Sequence, residues 1–193
     1  MAKQIGLFFG SFNPVHSGHL IIANFMADYA HLEEIWFVVS PQNPFKASDE
    51  LLDEKERLAL LDIAIKDDPR FKTCAIELNL PRPSYTEHTL AELRKQYPED
   101  QFTLIIGGDN LKGFHHWKNY QAILEHHQVF VYARVGIIEK PLLANHPKIK
   151  LFEVPLLNIS STYVRESIQA GKSIRYLVPD GVRQAIASKG FYK

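Results

Sequence analysis

Short apolar runs alternate with amphipathic stretches from the first residues onward. Residues 5–9 and 35–39 are continuous apolar runs, ended by Gly10 and by Ser40 and Pro41, and such runs are typical of strands buried on both faces. Between them, residues 20–30 carry apolar side chains at the spacing of one helical face. The pattern therefore predicts a strand, a loop and a helix, followed by a second buried strand.

The alternation continues to the end of the chain. Strands are predicted at residues 73–78, 102–106, 127–133 and 149–154, and helices at residues 87–96 and 120–125. One more helix should begin near Asp53, which has capping-box spacing with Glu56. Two others should begin near Ser160 and Pro179, and Gly190 should stop the last one. Because strands that alternate with helices pair in parallel through right-handed crossovers, we expect an α/β fold: an open, mostly parallel sheet with helices on both faces.

Length and composition fit one folded domain. The 193 residues are 46% hydrophobic, and no run approaches the 18 or so apolar residues of a membrane span. The 22 Lys and Arg residues balance 22 Asp and Glu residues, which leaves no global positive field to hold nucleic acid or an anionic membrane. The single cysteine, Cys74, excludes an internal disulfide and a Cys-based zinc site. We expect a cytoplasmic protein with small-molecule partners, and a homo-oligomer is left open.

The first cluster of residues suited to phosphate binding lies in the loop after the first strand, at positions 10–20. Gly10 permits tight backbone geometry, and Gly18 opens a helix whose free amides form an anion site. His16 and His19 lie three residues apart there, so both imidazoles could donate hydrogen bonds to one phosphate. Two solvated loop histidines or a zinc pair would show the same spacing, although no carboxylate or Cys ligand stands nearby. The spacing favours phosphate contact.

The segment GSFNPVHSGH resembles the G-x-F-x-P-x-H-x-G-H signature of the nucleotidyltransferases with an HxGH motif, which transfer a nucleoside monophosphate from ATP or CTP. In that superfamily both histidines contact the triphosphate, and the second supports the transition state at the α-phosphorus. The resemblance implies catalytic roles for His16 and His19. It also implies ATP contacts from Gly10, Ser11, Phe12 and Gly18. Asn13 stands where relatives often carry Asp.

A second phosphate-binding pattern lies near the other end of the chain. Residues 160–162 place three hydroxyls at the head of a predicted helix, and Arg165 falls on the same face as Thr162. Taken alone, this is equally a helix cap with a surface arginine. The segment resembles the superfamily motif I-S-S-T-x-x-R, which binds the β- and γ-phosphates and implies a catalytic role for Arg165. The ATP contacts implied are Ile159, Ser160, Ser161, Thr162 and Arg165, together with Lys46 of a P-x-K element.

Two elements in the middle of the chain indicate which substrate accepts the nucleoside monophosphate. Residues 84–90 resemble the S-Y-T-x-x-T-L element of the bacterial nicotinate-nucleotide adenylyltransferases, and residues 106–117 resemble their I-G-x-D-x-L-x-x-F-x-x-W element. Ser84 and Glu87 have capping-box spacing, which leaves donors at Tyr85 and Thr86 for a pyridine carboxylate. Trp117 offers a flat face on which a pyridinium cation can stack.

Other positions complete the expected site. Asp109 follows a predicted buried strand and can accept hydrogen bonds from ribose hydroxyls. The resemblance adds Gly107 to the ATP site and Arg134, from a family R-P-G turn, to the mononucleotide site. The adjacent pairs His115–His116 and His126–His127 receive no role, because neighbouring side chains on a helix or strand diverge.

These resemblances span nearly the whole chain and imply one Rossmann-like domain, residues 1–193, in which residues 160–193 complete the ATP site. The implied reaction joins ATP and nicotinate mononucleotide into nicotinate adenine dinucleotide and pyrophosphate, a step of NAD biosynthesis. The acceptor phosphate attacks directly, and Mg²⁺ arrives with ATP because no carboxylate cluster is evident. The same machinery could serve nicotinamide mononucleotide or another phosphorylated acceptor. A catalytically silent nucleotide sensor is the non-enzymatic alternative.

Overall fold

The computed structural model describes residues 2–41, 51–133, 143–155 and 157–193, and within them lie six parallel strands and seven α-helices. The strands are β1 (Gln4–Gly10), β2 (Glu34–Val39), β3 (Phe71–Cys74), β4 (Gln101–Gly107), β5 (Gln128–Ala133) and β6 (Ile149–Glu153). The helices are α1 (Ser17–Tyr29), α2 (Glu54–Ile65), α3 (Thr86–Gln96), α4 (Gly108–Gly113), α5 (Tyr120–His126), α6 (Ser161–Gln169) and α7 (Asp180–Lys189). None of these helices is both long and apolar enough to cross a membrane.

The strand order determines where a ligand can bind. The strands lie in the order β3-β2-β1-β4-β5-β6, and every neighbouring pair is parallel. Leu7 of β1 lies opposite Trp36 of β2 on one side and opposite Leu104 of β4 on the other. The order reverses between β1 and β4, and ligands of such sheets bind beyond the carboxyl ends of the strands at this point. The expected α/β, Rossmann-like architecture is confirmed.

Alternate strand residues contribute to two hydrophobic cores, one on each face of the sheet. Phe8 and Phe37 belong to the core that α1, α2, α6 and α7 cover, whereas Leu7 and Trp36 belong to the core beneath α3, α4 and α5. Both faces are therefore buried, which is why the central strands are apolar at consecutive positions. The expectation of helices on both faces is confirmed.

The strand predicted at residues 73–78 is wrong beyond Cys74. β3 ends there, and Ile76–Asn79 forms a short 3₁₀ helix. The cause is tertiary, because Glu77 is buried and accepts a hydrogen bond from Thr89 Oγ1 of α3 at 2.8 Å. The turn takes the chain off the sheet edge and directs this carboxylate towards α3.

Two helix starts differ in detail from the sequence pattern. α1 begins at Ser17, one residue before the glycine at which the sequence places the helix start, and the amide of its N-cap residue, His16, donates to His19 Nδ1 at 3.2 Å. Asp53 is the N-cap of α2 as expected. It accepts from the Lys55 amide at 2.9 Å, one residue short of the amide that a capping box uses.

The C-terminal helices start and end as the sequence indicates. Ser160 Oγ accepts a hydrogen bond from the amide three residues later, at 3.1 Å, and so caps α6. Gly190 ends α7 with φ of +68°, a left-handed conformation that favours glycine. Val182 and Ile186 of α7 join the core that also contains α1 and α2. The end of the chain thus packs on the same layer as its first helices.

Candidate active site

A pocket of about 560 Å³ opens beyond the carboxyl ends of β1, β2 and β4. Its walls come from the loop after β1, the start of α3 and the segment from α4 to α5. This is the place that the reversal of strand order favours. Seven of the residues singled out from the sequence line it: Gly10, Ser11, Ser84, Tyr85, Thr86, Asp109 and Trp117.

A buried phenylalanine shapes the loop after β1. Phe12 is 1% exposed, has φ of +45°, and packs its ring against Phe8 and Phe37. A Cβ atom on Gly10 would lie 2.8 Å from that ring, so this position requires glycine. Because the Phe12 ring belongs to the core, a nucleotide can meet this residue only through its backbone.

A buried arginine joins this loop to the loop after β2. Arg57 of α2 is 1% exposed, and its Nη1 donates to the carbonyls of Ser11 at 2.5 Å and Ser40 at 2.9 Å. Its Nη2 and Nε donate to the carbonyls of Pro41 at 3.1 Å and Leu52 at 2.9 Å. Burial lowers the pKa of Arg57, yet a guanidinium stays protonated at neutral pH. One side chain therefore fixes two loops at the edge of the pocket.

His16 and His19 stack on each other at the start of α1. Their ring centroids lie 3.7 Å apart with 23° between the planes. Burial lowers the pKa of His16 to about 4, so this ring is neutral at pH 7. Because His19 Nδ1 accepts the His16 amide, a neutral His19 carries its proton on Nε2, where it can donate. A Cβ atom on Gly18 would lie 3.0 Å from the His16 ring, so glycine leaves room for the stacked pair.

The hydroxyl-arginine motif docks directly on the first loop. Ser161 Oγ donates to the carbonyl of Pro14 at 2.9 Å, and Arg165 Nη1 donates to the carbonyl of Asn13 at 3.0 Å. The partners are 147 and 152 residues apart in sequence. The start of α6 therefore lies beside the loop that carries the two histidines.

The C-terminal tail reaches the same loop. Tyr192 Oη donates to Asn13 Oδ1 at 2.9 Å, and the amide of Leu52 donates to the same oxygen at 3.1 Å. Asn13 is buried, and burial also raises the pKa of Tyr192. Asn13 is thus the point where the first loop meets the start of α2, α6 and the end of the chain.

The capping box expected from Ser84 and Glu87 does not form at the start of α3. Tyr85 is the N-cap, and its side chain makes no capping hydrogen bond. Ser84 Oγ instead donates to Glu77 Oε2 at 3.4 Å, because the 3₁₀ turn brings that buried carboxylate within reach. The amides in the first turn of α3 therefore remain available to an anion in the pocket.

Glu77 is a buried acid in the pocket wall. It is 3% exposed, and burial raises its pKa. Hydrogen bonds from the hydroxyls of Thr89, Ser40 and Ser84 act in the opposite direction. Since these hydroxyls come from α3, the end of β2 and the segment before α3, the carboxylate holds three walls of the pocket together.

Trp117 and Lys118 form another part of the pocket wall. The Trp117 ring packs on Phe114, with 5.1 Å between ring centroids, and also lines the pocket. Lys118 Nζ lies 4.2 Å from the centroid of the Tyr85 ring. Asp109 lines the pocket from the first turn of α4. An aromatic ring, an ammonium group and a carboxylate therefore face one cavity.

Known proteins are similar in sequence to this chain along nearly its whole length. A cytidylyltransferase-like family model matches residues 7–167. A Flavobacterium johnsoniae protein named "probable nicotinate-nucleotide adenylyltransferase" is 48% identical over 191 residues, which cover 98% of this chain and 99% of that protein. A Cytophaga hutchinsonii protein of the same name is 48% identical over 189 residues, which cover 98% of each. The chain belongs to the nicotinate-nucleotide adenylyltransferase family.

Solved structures have the same fold. The Plasmodium falciparum nicotinic acid mononucleotide adenylyltransferase complexed with NaAD matches with a TM-score of 0.81 and 18% identity, over 98% of this chain and 97% of that one. The same enzyme complexed with APC matches with a TM-score of 0.79 and 20% identity, over the same shares. At these identities the likeness shows a common fold.

The site residues expected in this family member fall into two adjoining groups. The first lines the pocket, as described above. The second lies at the first loop, the start of α1 and the start of α6. It contains His16, Gly18, His19, Ile159, Ser161 and Arg165. Ser160 caps α6, Thr162 is exposed in the same first turn, and Gly107 ends β4 beside Tyr132.

Two expected residues, Lys46 and Arg134, lie outside the described part of the chain. Within the described ranges, no group of three or more His, Cys, Asp or Glu side chains is placed to hold a metal ion. The expectation that the adjacent side chains of His115 and His116 diverge is wrong, because their rings lie 3.8 Å apart, and His116 lines the pocket.

The sequence interpretation missed Arg57, Glu77 and Lys118. Arg57 stands in the charged run that opens α2, which is typical of a solvated helix face. Glu77 stands in a run that suits a strand. Lys118 directly follows Trp117, and this position next to an expected site residue could have indicated it. All three acquire their roles from contacts with residues distant in sequence.

Proposed function

We propose that this chain transfers AMP from ATP to nicotinate mononucleotide at the pocket beyond β1 and β4. The observation that carries the proposal is the docking of α6 on the first loop, through hydrogen bonds to the carbonyls of Asn13 and Pro14. The same loop lines the acceptor pocket with Gly10 and Ser11. A triphosphate held by the loop and α6 would therefore lie next to a mononucleotide in the pocket.

The proposed reaction is a single displacement. An oxygen of the acceptor 5′-phosphate forms a bond to the α-phosphorus of ATP while the bond to the bridging oxygen breaks, and pyrophosphate leaves with that electron pair. The acceptor phosphate is already ionised at neutral pH, so no general base is needed. The protein contributes positioning and charge stabilisation. ATP enters as its magnesium complex, in which the phosphate oxygens hold the ion.

The ATP end is assigned to the two phosphate motifs. His19 donates its Nε2 proton to the α-phosphate as charge builds there, and the neutral His16 provides a second hydrogen-bond donor. Arg165 and the first turn of α6 hold the β- and γ-phosphates, so residues 160–193 complete this end of the site. Further ATP contacts are proposed for Gly10, Ser11, Phe12, Gly18, Lys46, Gly107, Asp109, Ile159, Ser160, Ser161 and Thr162.

The acceptor end is assigned to the pocket. The amides at Tyr85 and Thr86 donate to the pyridine carboxylate, supported by the absence of a side-chain cap on α3. The pyridinium ring stacks on Trp117, and Asp109 accepts hydrogen bonds from ribose hydroxyls. Ser84 and Arg134 complete the proposed mononucleotide contacts.

Pyrophosphate release tests the proposal. Purified protein is given MgATP with each of four acceptors: nicotinate mononucleotide, nicotinamide mononucleotide, phosphopantetheine and an alcohol phosphate. We expect nicotinate mononucleotide to give the highest kcat/KM. His19→Ala should lower kcat about 100-fold or more, because a donor to the developing charge is lost.

His126→Ala is the matched control, because that histidine is half-exposed at the end of α5 and does not belong to the site. Its kcat should equal that of the wild type. ATP binding without turnover of any acceptor would identify a nucleotide sensor instead, and a near-normal kcat for His19→Ala at saturating ATP would refute the role given to that residue.

A further inference from the structure

We propose that the Lys118 side chain makes the pocket prefer the acid mononucleotide to the amide. The inference rests on the proposed function and adds a side chain to the acceptor end of that site. The family resemblance assigns no role to this lysine.

The first support is the charge of the pocket wall. Among the described residues that line the pocket, Glu77 and Asp109 are acids, and Lys118 is the one Lys or Arg. An anionic acceptor in a pocket lined by two carboxylates is repelled unless a cation compensates. Nicotinate mononucleotide carries one negative charge more than nicotinamide mononucleotide, so the two acids alone would favour the amide.

The second support is the position of the ammonium group. Lys118 Nζ lies 4.2 Å from the centroid of the Tyr85 ring, within the range of a cation–π contact. Tyr85 is the N-cap of α3, and the uncapped amides of that helix follow directly. The contact therefore holds the charge beside the amides to which the pyridine carboxylate is assigned.

The third support is the neighbouring residue. Trp117 and Lys118 are adjacent and line the same cavity, so the stacking surface and the ammonium group are placed by one backbone segment. This segment is fixed by the hydrogen bond from the Trp117 amide to the Phe114 carbonyl at 3.0 Å. A pyridine ring on Trp117 can thus direct its 3-substituent towards Lys118 and the start of α3. A carboxylate there forms an ion pair with the ammonium group, whereas a carboxamide forms only an ion–dipole hydrogen bond.

The test compares Lys118→Gln with wild type by isothermal titration of both mononucleotides and by kcat/KM for both. We expect Lys118→Gln to weaken binding of nicotinate mononucleotide about tenfold, since one hydrogen bond to a charged group is lost. Binding of nicotinamide mononucleotide should weaken only about twofold, because the glutamine amide still donates a hydrogen bond to a carboxamide, and the KM of ATP should not change. The acid-to-amide ratio therefore falls about fivefold, and Lys118→Arg, which keeps the charge, should retain most of the wild-type ratio.

Lys95→Gln serves as the control, because this lysine is exposed at the far end of α3. It should leave the ratio unchanged. Equal losses for both mononucleotides, or an unchanged ratio in Lys118→Gln, would overturn the role of Lys118. Binding that shows the expected ratio change in a protein without turnover would refute the proposed reaction and support the specificity inference, so the two failures are distinguishable.

Discussion

Arg57 shows how one buried side chain can organise a site without contacting its ligands. Its guanidinium donates to four backbone carbonyls, those of Ser11, Ser40, Pro41 and Leu52. Carbonyl oxygens carry only partial charge. Hydrogen bonds to the loop carbonyls, rather than an ion pair, therefore offset the cost of burying this cation. Both loops line the pocket that is proposed to bind the acceptor, and the guanidinium links them.

Replacing Arg57 with methionine should destabilise the fold strongly. The four carbonyls would lose their donor while remaining partly buried, which costs about 3 kcal/mol or more of the free energy of unfolding. Urea denaturation followed by circular dichroism measures the loss. The matched control is Arg82→Met, since Arg82 is an exposed arginine paired with Glu54, and it should cost less than about 1 kcal/mol. Similar losses for the two variants would contradict the role of Arg57.

At the scale of elements, α6 and α7 bring the far end of the sequence to the proposed phosphate end of the site. α6 contacts the first loop through its first turn, and the tail after α7 contacts the buried Asn13 side chain through Tyr192. α7 is anchored by Val182 and Ile186 in the core shared with α1 and α2. The helices therefore position the tail, and the tail supports the loop.

Tyr192→Phe should show that support directly. The variant removes one donor from Asn13 Oδ1 and should cost about 1 kcal/mol of the free energy of unfolding. Because Asn13 lies beside Arg165, we expect kcat/KM for ATP to fall. The KM for the mononucleotide should change less than that. Steady-state kinetics with each substrate varied in turn provides the measurement. Tyr29→Phe, at a residue 67% exposed on α1, should change neither quantity.

At the scale of the whole molecule, two buried neutral histidines couple stability to pH. Burial lowers the pKa of His16 and of His127 to about 4 from an ordinary value of 6.5. His127 lies before β5, and its Nδ1 is 2.9 Å from the carbonyl of Phe102. Below pH 6.5 the unfolded chain binds protons that the folded chain does not, so each histidine lowers stability as pH falls, until the folded pKa is reached.

Between pH 7 and pH 5, each of these histidines should therefore remove about 2 kcal/mol from the free energy of unfolding. His127→Gln keeps a donor for the Phe102 carbonyl and should remove one histidine's share of this pH dependence. Chemical denaturation at several pH values checks the expectation. His88→Gln, at a half-exposed histidine, should leave the slope as in wild type. If the free energy of unfolding of His127→Gln and of wild type changed equally with pH, the role given to His127 would be contradicted.

The architecture was largely predictable because burial on both faces of a parallel sheet leaves a local signature. Consecutive apolar residues marked β1 and β2, helical spacing marked α1, and Asp53 marked the start of α2. The prediction failed beyond Cys74, where an apolar run became a 3₁₀ turn. Local pattern cannot distinguish these outcomes, since the turn depends on the hydrogen bond between Glu77 and Thr89.

Some residues of the candidate site were likewise predictable from local sequence, and others were not. Residues in contiguous motifs, such as the two histidines of the first loop and the hydroxyls of α6, could be recognised along the chain because their spacing is set by one helix turn. Arg57, Glu77 and Lys118 could not, because each acts on partners brought from other segments. Ser84 likewise donates to Glu77 instead of capping α3, and the sequence near Ser84 does not indicate this partner.

By itself, the sequence determined the alternation of strands and helices, the neutral overall charge and the local motifs that suit phosphates and a pyridine ring. These follow from periodicity and from the chemistry of neighbouring side chains. Tertiary structure alone decided that the first loop and α6 meet through Asn13 and Pro14, and which charges surround the acceptor pocket. Such contacts depend on strand order and on the packing of distant helices, which short-range spacing does not encode.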